Sequence, residues 1–202
     1  MSYTSRKTET APLAWGEFET LIAKLVTDIQ VRRKKNRARM LMGAALGTFC
    51  GLRAGDVLKL RWQDLVGRAT LVLQEQKTGK QRNITLNPRL QELVGFAYEA
   101  VGKPEGQSYI MSNGRSEGKK PISIQFWNRE ISQILHEYGI HTLNPSSHTF
   151  RKTFGRRVFE LNNRSEEALI VLSQIFGHTS ISISRRYIGI QQERIADIYL
   201  SI

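Results

Sequence analysis

A single cysteine, Cys50, among 202 residues rules out a disulfide within the chain and any multi-cysteine zinc site. It lies in the apolar run from Met40 to Cys50, where a buried and inert thiol is expected. There is also no His-Glu-x-x-His motif and no carboxylate cluster, so no metal cage is expected. No run is long and apolar enough to span a membrane, and Met1 to Pro12 lacks the apolar centre of a signal peptide, so the chain reads as intracellular. Acidic side chains are scarce. Against 18 Asp+Glu stand 30 Lys+Arg, a formal charge of +12, which favours a polyanionic partner, although a merely basic protein has the same balance. Internal repeats and low-complexity blocks are absent, and the length suits one sizeable core or a large and a small lobe.

What is present is mostly helical periodicity. Phe18, Leu21, Ile22, Leu25, Val26 and Ile29 recur at the helical period between Trp15 and Ile29, a core-facing stripe. The basic run Val31 to Arg39 breaks it and admits two readings, a solvated helix start or a phosphate-facing strip. A second helix is expected from about Ala38 to Phe49, ending at Gly51, and a short one from Ala54 to Leu60. Arg53 then sits at a helix N-terminus, where free amides and the dipole favour phosphate. From Leu65 to Leu86 the period falls to two. Ala69 to Gln74 and Asn83 to Leu86 flank the turn-like Lys77-Thr78-Gly79-Lys80, giving a hairpin. Asn87-Pro88 opens the next helix, to about Val101. Gly102 to Gly118 reads as loop around a short Tyr109-Ile110 piece. Further helices are expected over Ser123 to Tyr138, Ser147 to Leu161, Ser165 to Phe176, Ser180 to Ile188 and Gln191 to Leu200. The last carries Ile195, Ile198 and Tyr199, with Ile202 beyond it, an apolar stripe that needs a partner surface in cis or in trans.

Three short patterns carry chemistry. His148-x-x-Arg151 places two phosphate-capable side chains one helical turn apart. Gly177-His178 follows, and Tyr187 stands nine residues after His178. Each is weak alone: a surface His-x-x-Arg, a glycine helix cap and a core tyrosine are ordinary. Their order and spacing carry the weight. A tyrosine hydroxyl, with an unperturbed pKa of about 10, needs bases and cations around it to act as a nucleophile. Upstream lies Gly51-Leu52-Arg53-Ala54-Gly55-Asp56, with Leu60 and Trp62 following, then Gln76-Lys77-Thr78-Gly79-Lys80 in the expected hairpin.

Taken together, Arg53, Asp56, Lys77, His148, Arg151, His178 and Tyr187 resemble, in order and spacing, the catalytic domain of the tyrosine recombinase or phage integrase family, across essentially the whole chain. The resemblance implies a mainly α fold with a small antiparallel β-sheet (α+β). It implies cleavage and rejoining of double-stranded DNA through a covalent 3′-phosphotyrosine, with neither ATP nor metal and no other cofactor. It implies Tyr187 as nucleophile and Lys77 as general acid. Arg53, Arg151 and His178 would meet the phosphate, His148 would help take the tyrosine proton, and Asp56 would support the site without touching substrate. A homotetramer on DNA, a monomer in solution, no membrane partner and a cytoplasmic location, at the nucleoid in a prokaryote, are the corresponding expectations. His136 and His141 fall outside the motifs and read as surface or loop residues. The neighbouring alternatives are a type IB topoisomerase-like enzyme and a non-catalytic DNA-binding regulator.

Two departures from the family pattern stand out. The stretch around Asn162 to Glu167 is a few residues longer than in many members, which a longer helix connection would absorb. Residues 1–13 read as an N-terminal tail or linker remnant and 14–202 as the catalytic domain. Too few residues precede Trp15 for the family's core-binding domain, which is expected to be absent. Either an excised domain or a short recombinase resembling fimbrial-switch invertases would have this form.

Overall fold

The computed structural model describes residues 9–76, 79, 81–190 and 198–201. Within them the chain forms α1 (Trp15–Gln30), α2 (Arg37–Phe49), α3 (Ala54–Lys59), β1 (Thr70–Gln74), β2 (Gln81–Thr85), α4 (Pro88–Ala100), α5 (Ile124–Glu137), α6 (Ser147–Leu161), α7 (Glu166–Phe176) and α8 (Ile181–Tyr187). β1 and β2 pair antiparallel with Thr70 opposite Thr85 and Gln74 opposite Gln81, so the expected α+β class is what folds.

Polar caps set the helix starts. Ser123, Ser146, Ser165 and Ser180 each accept a backbone N–H from the first turn of α5, α6, α7 and α8, and Asn87 does the same ahead of Pro88 at α4. The stripe of α1 buries Phe18, Leu21, Ile22, Leu25 and Ile29, each contributing up to about 1.5–3 kcal/mol. α2 is buried almost all round, from Met40 to Thr48, and packs on α1, α4 and α6. It is therefore the central post. Cys50 at its end is buried, and burial pushes its thiol up to about 12, consistent with an inert role.

The core divides unequally. A large cluster gathers α1 to α5 together with Phe150 of α6, and a small one joins Phe159, Ala168, Leu169, Leu172, Phe176 and Ile188 from α6 to α8. α6 belongs to both and so fixes the second against the first.

The basic run Val31 to Arg39 fits neither reading whole. Arg32, Lys34 and Arg37 converge on the buried Asp28 at 2.8, 3.2 and 3.5 Å, and Tyr138 Oη donates to the same carboxylate at 2.8 Å. Burial works against that charge, yet the hydrogen bonds from Tyr138 and Lys34 and the nearby cations hold Asp28 below its ordinary range. Arg39 donates to Glu130 and to the Ser112 carbonyl. The run is thus part solvated, with Arg32, Arg33 and Lys35 exposed, and part a staple through Lys34, Arg37 and Arg39.

The chain enters along α6. Ala11 N–H donates to the Leu143 carbonyl at 3.0 Å and Leu13 N–H to Thr153 Oγ1 at 2.9 Å, while Thr10 Oγ1 lies 3.2 Å from Ser146 Oγ. Between α6 and α7, Asn163 and Arg164 both take positive φ in a tight turn. Of the expected last helix, residues 198–200 are helical and exposed, and Gln191 to Asp197, Ile195 included, lie outside the described residues, as does Ile202.

Candidate active site

The site is assembled at the C-terminal end of α7. Gly177 follows Phe176 with φ +65°, a left-handed turn that glycine adopts without strain, and this turns the chain away and leaves the Phe176 carbonyl open at the helix end. Arg53 Nη2 donates to that carbonyl at 2.6 Å and Arg151 Nη2 at 3.3 Å. Two guanidiniums thus share one acceptor at the negative end of a helix dipole. Arg151 also donates to the Gly51 carbonyl and lies over the Phe176 ring at 4.3 Å. Burial brings the Arg151 guanidinium down to about 10, with Arg53 and Arg82 adding repulsion and Tyr187 opposing it, so it stays charged at neutral pH.

Tyr187, the last residue of α8, is half-buried against this pair. Its hydroxyl lies 3.3 Å from His148 Nδ1. Its ring meets Phe176 at 5.3 Å, His178 at 5.4 Å and His148 at 6.5 Å, all near edge-to-face. Burial raises the Tyr187 phenol, while the charge and hydrogen bond of Arg151 and the charge of Arg53 pull it back. His148 is exposed as a residue, but partial desolvation, then the Arg151 and Lys152 cations, lower its imidazole and favour the neutral base. His178 Nδ1 pairs with the buried Ser184 Oγ at 2.9 Å, which fixes the ring's direction across the turn before α8.

Arg53, His148, Arg151, His178 and Tyr187 therefore meet in one place, from the residue capping α3, from α6 and α8, and from the turn after α7. Asp56 lies behind them, buried, with Oδ1 accepting the Gln76 N–H at 2.9 Å, so it anchors the base of the β1–β2 turn. Lys77, next in sequence after Gln76, lies outside the described residues. His136 and His141 are exposed and remote from the motifs in sequence. Among the described residues no group of three or more His, Cys, Asp or Glu could hold a metal ion.

Sequence reading missed two members. Glu75 is buried and pairs with Arg53 Nη1 at 3.0 Å and Arg82 Nη1 at 2.9 Å. The signal was available, because strand alternation puts Glu75 on the same face as the buried Leu71 and Leu73, and an inward carboxylate requires cations. Lys152 is the other, four residues after His148 on the same helix face. As a whole the arrangement offers a phenol beside a neutral imidazole and two oriented guanidiniums, the ingredients for attack on a phosphodiester.

Residues 16–194 match the model of the phage integrase family. A probable integrase/recombinase, YoeC of Bacillus subtilis, is 30% identical over 153 residues, covering 76% of this chain and 78% of that protein. Tyrosine recombinase XerC of Rhodospirillum centenum is 25% identical over 74% of this chain, but only 42% of XerC is spanned. Among solved structures, a post-cleavage complex of the XerH site-specific recombinase on a palindromic difH substrate superposes with a TM-score of 0.69 at 17% identity, covering 98% of this chain and 55% of that one. XerA recombinase gives 0.66 at 17% identity, covering 100% of this chain and 66% of that one. The chain thus spans less than two thirds of the XerC, XerH and XerA chains it resembles.

Proposed function

The chain belongs to the phage integrase family of tyrosine recombinases, and on that premise we propose that it breaks and rejoins double-stranded DNA site-specifically, with Tyr187 as nucleophile. Tyr187 Oη attacks the scissile phosphorus as its proton passes to His148 Nδ1. The phosphorus–5′-oxygen bond breaks, and Lys77 protonates the departing oxygen. The product is a 3′-phosphotyrosine and a free 5′ hydroxyl, which attacks the same phosphorus in the reverse step. Arg53 and Arg151, with His178, take up the charge that develops on the nonbridging oxygens, where preplaced donors lower the barrier most. Asp56 supports the site through the hairpin base. The bond energy is retained in the phosphotyrosine, so neither ATP nor metal enters.

The observation that carries this reading is the 3.3 Å approach of His148 Nδ1 to the Tyr187 hydroxyl, beside a buried arginine whose charge favours the phenolate. Recombination between two duplexes then requires four protomers in one synapse, assembled on DNA from monomers. The segment after Tyr187 is our candidate contact between them. Ile198, Tyr199 and Leu200, all exposed, support that placement.

The test is incubation with nicked suicide duplexes from flanking genomic DNA, followed by denaturing gels. A DNA–protein adduct that resists denaturation is expected. DNA binding without any adduct would favour a non-catalytic regulator, and supercoil relaxation by an isolated monomer would favour the topoisomerase-like reading. Binding should weaken steeply with salt, since phosphate contacts release counterions.

A further inference from the structure

One buried cation at the site has no task in this chemistry. Lys152 is 7% exposed, and its Nζ donates to the Thr10 carbonyl at 2.6 Å. The same ammonium lies over the Tyr187 ring, 5.3 Å from its centroid. We propose that Lys152 is a positioning residue for the Tyr187 nucleophile, held to that task by the carbonyl of Thr10. The proposal rests on the reading of Tyr187 as nucleophile.

The argument is geometric first. α6 presents three side chains to the phenol from successive positions of one face: His148 at the hydroxyl, Arg151 beside it, and Lys152 over the ring. Phe176 and His178 close the edge contacts. A phenol so enclosed has its oxygen direction set by whatever lies on its ring face, and Lys152 lies there. Chemistry adds a second effect. The ring face of a phenolate is more negative than that of a phenol, so an ammonium above it favours the ionised form over the neutral one. An interaction that strengthens as the hydroxyl loses its proton acts on the transition state rather than on the resting site.

The Thr10 carbonyl holds the ammonium there. Thr10 belongs to the entering segment, which is tied down on either side of it, by Asn144 Nδ2 donating to the Glu9 carbonyl and by Ala11 N–H donating to the Leu143 carbonyl. Leu13 is itself buried. Glu9, the next residue outward, opposes the effect of burial on Lys152 and favours its charged form. The groups facing Lys152 are thus Glu9 and Thr10 from the entering segment, His148 from its own helix and Tyr187 from α8.

The experiment compares Lys152→Met, which keeps length and removes charge, with Lys152→Arg, which keeps charge. His148 is followed by NMR titration in the DNA-free protein. Adduct formation on a nicked duplex is followed at single turnover across pH. In Lys152→Met the His148 ring should titrate at higher pH, since a neighbouring cation is gone. Adduct formation should slow by roughly three- to thirty-fold, most at acid pH, with Lys152→Arg recovering the greater part. Equal adduct rates for wild type and Lys152→Met, or equal losses in both variants at every pH together with an unmoved His148 titration, would overturn the proposal. An absence of adduct in the wild type would instead sink the reading of Tyr187.

Discussion

His148 Nδ1 and the Tyr187 hydroxyl lie 3.3 Å apart, joining the first turn of α6 to the last residue of α8. Replacing Tyr187 by Phe keeps the ring contacts with Phe176, His148 and His178 and removes only the attacking oxygen. Tyr187→Phe should therefore bind duplex DNA as the wild type does and form no covalent adduct. Adduct at the wild-type level on a denaturing gel would remove Tyr187 from the nucleophile's role.

The pH dependence follows from the same pair. Partial desolvation and the Arg151 and Lys152 cations hold His148 below its ordinary value of about 6.5, so the neutral base persists through neutrality. Adduct formation should stay level from about pH 8 down to that value and fall only below it. Stability carries the same sign. The unfolded chain takes up a proton there that the folded one resists, so this contribution is lost as pH drops below the unfolded value. Single-turnover rates and melting curves across the range check both, and a decline in rate setting in above neutrality would count against His148 as base.

The two arginines should separate. Arg53→Ala removes a partly exposed side chain and should slow cleavage by about 10²–10³-fold with the smaller loss of stability, since Glu75 keeps Arg82 and the Phe176 carbonyl keeps Arg151. Arg151→Ala should slow it at least as much and also lower the melting temperature. Arg151 is buried, and its loss strands the Gly51 carbonyl, at a cost of about 1–3 kcal/mol. Similar melting temperatures for the two variants would show that the buried contacts of Arg151 contribute little.

Lys77→Ala should cleave poorly on ordinary DNA and recover on a duplex whose scissile 5′ bridging oxygen is sulfur, since a thiolate leaves without a proton. Persistent slow cleavage of the sulfur substrate would assign the lysine a positioning role instead.

Gly155 allows α6 to approach the end of α8. A Cβ there would sit 2.6 Å from Ile188 Cγ2 and 3.0 Å from the Phe176 ring, in the small core cluster next to Tyr187. Gly155→Ala should cost about 1–3 kcal/mol through overpacking, read as a melting temperature lower by about 2–4 °C per kcal/mol. Cleavage should fall with it, because the displaced residue adjoins the nucleophile. A variant as stable and as active as wild type would mean that the seam is softer than its packing indicates.

Much of this was legible in the sequence, for local reasons. The stripe of α1, the capping serines of α5 to α8, Pro88 and the period-two strands each follow from a rule acting over a few residues. Five of the seven motif positions meet at one place because their order along the chain already matched a known pattern. Glu75 and Lys152 were less legible because their roles depend on partners far along the chain, Arg53 for one and Thr10 for the other. The basic run from Val31 to Arg39 misled for the same reason. Arg37 and Arg39 look as exposed as Arg33 and Lys35 until Asp28, Glu130 and Glu137 arrive from α1 and α5.

α6 alone supplies His148, Arg151 and Lys152, and this makes the site an indexed object. One residue inserted between His148 and Arg151 would rotate everything beyond it by about 100° about the helix axis and part His148 from Arg151 and Lys152. An equal insertion in the turn at Asn163 and Arg164 would leave that helix in register. Lineages of this chain should accordingly vary in length at that turn and keep strict count along the first half of α6.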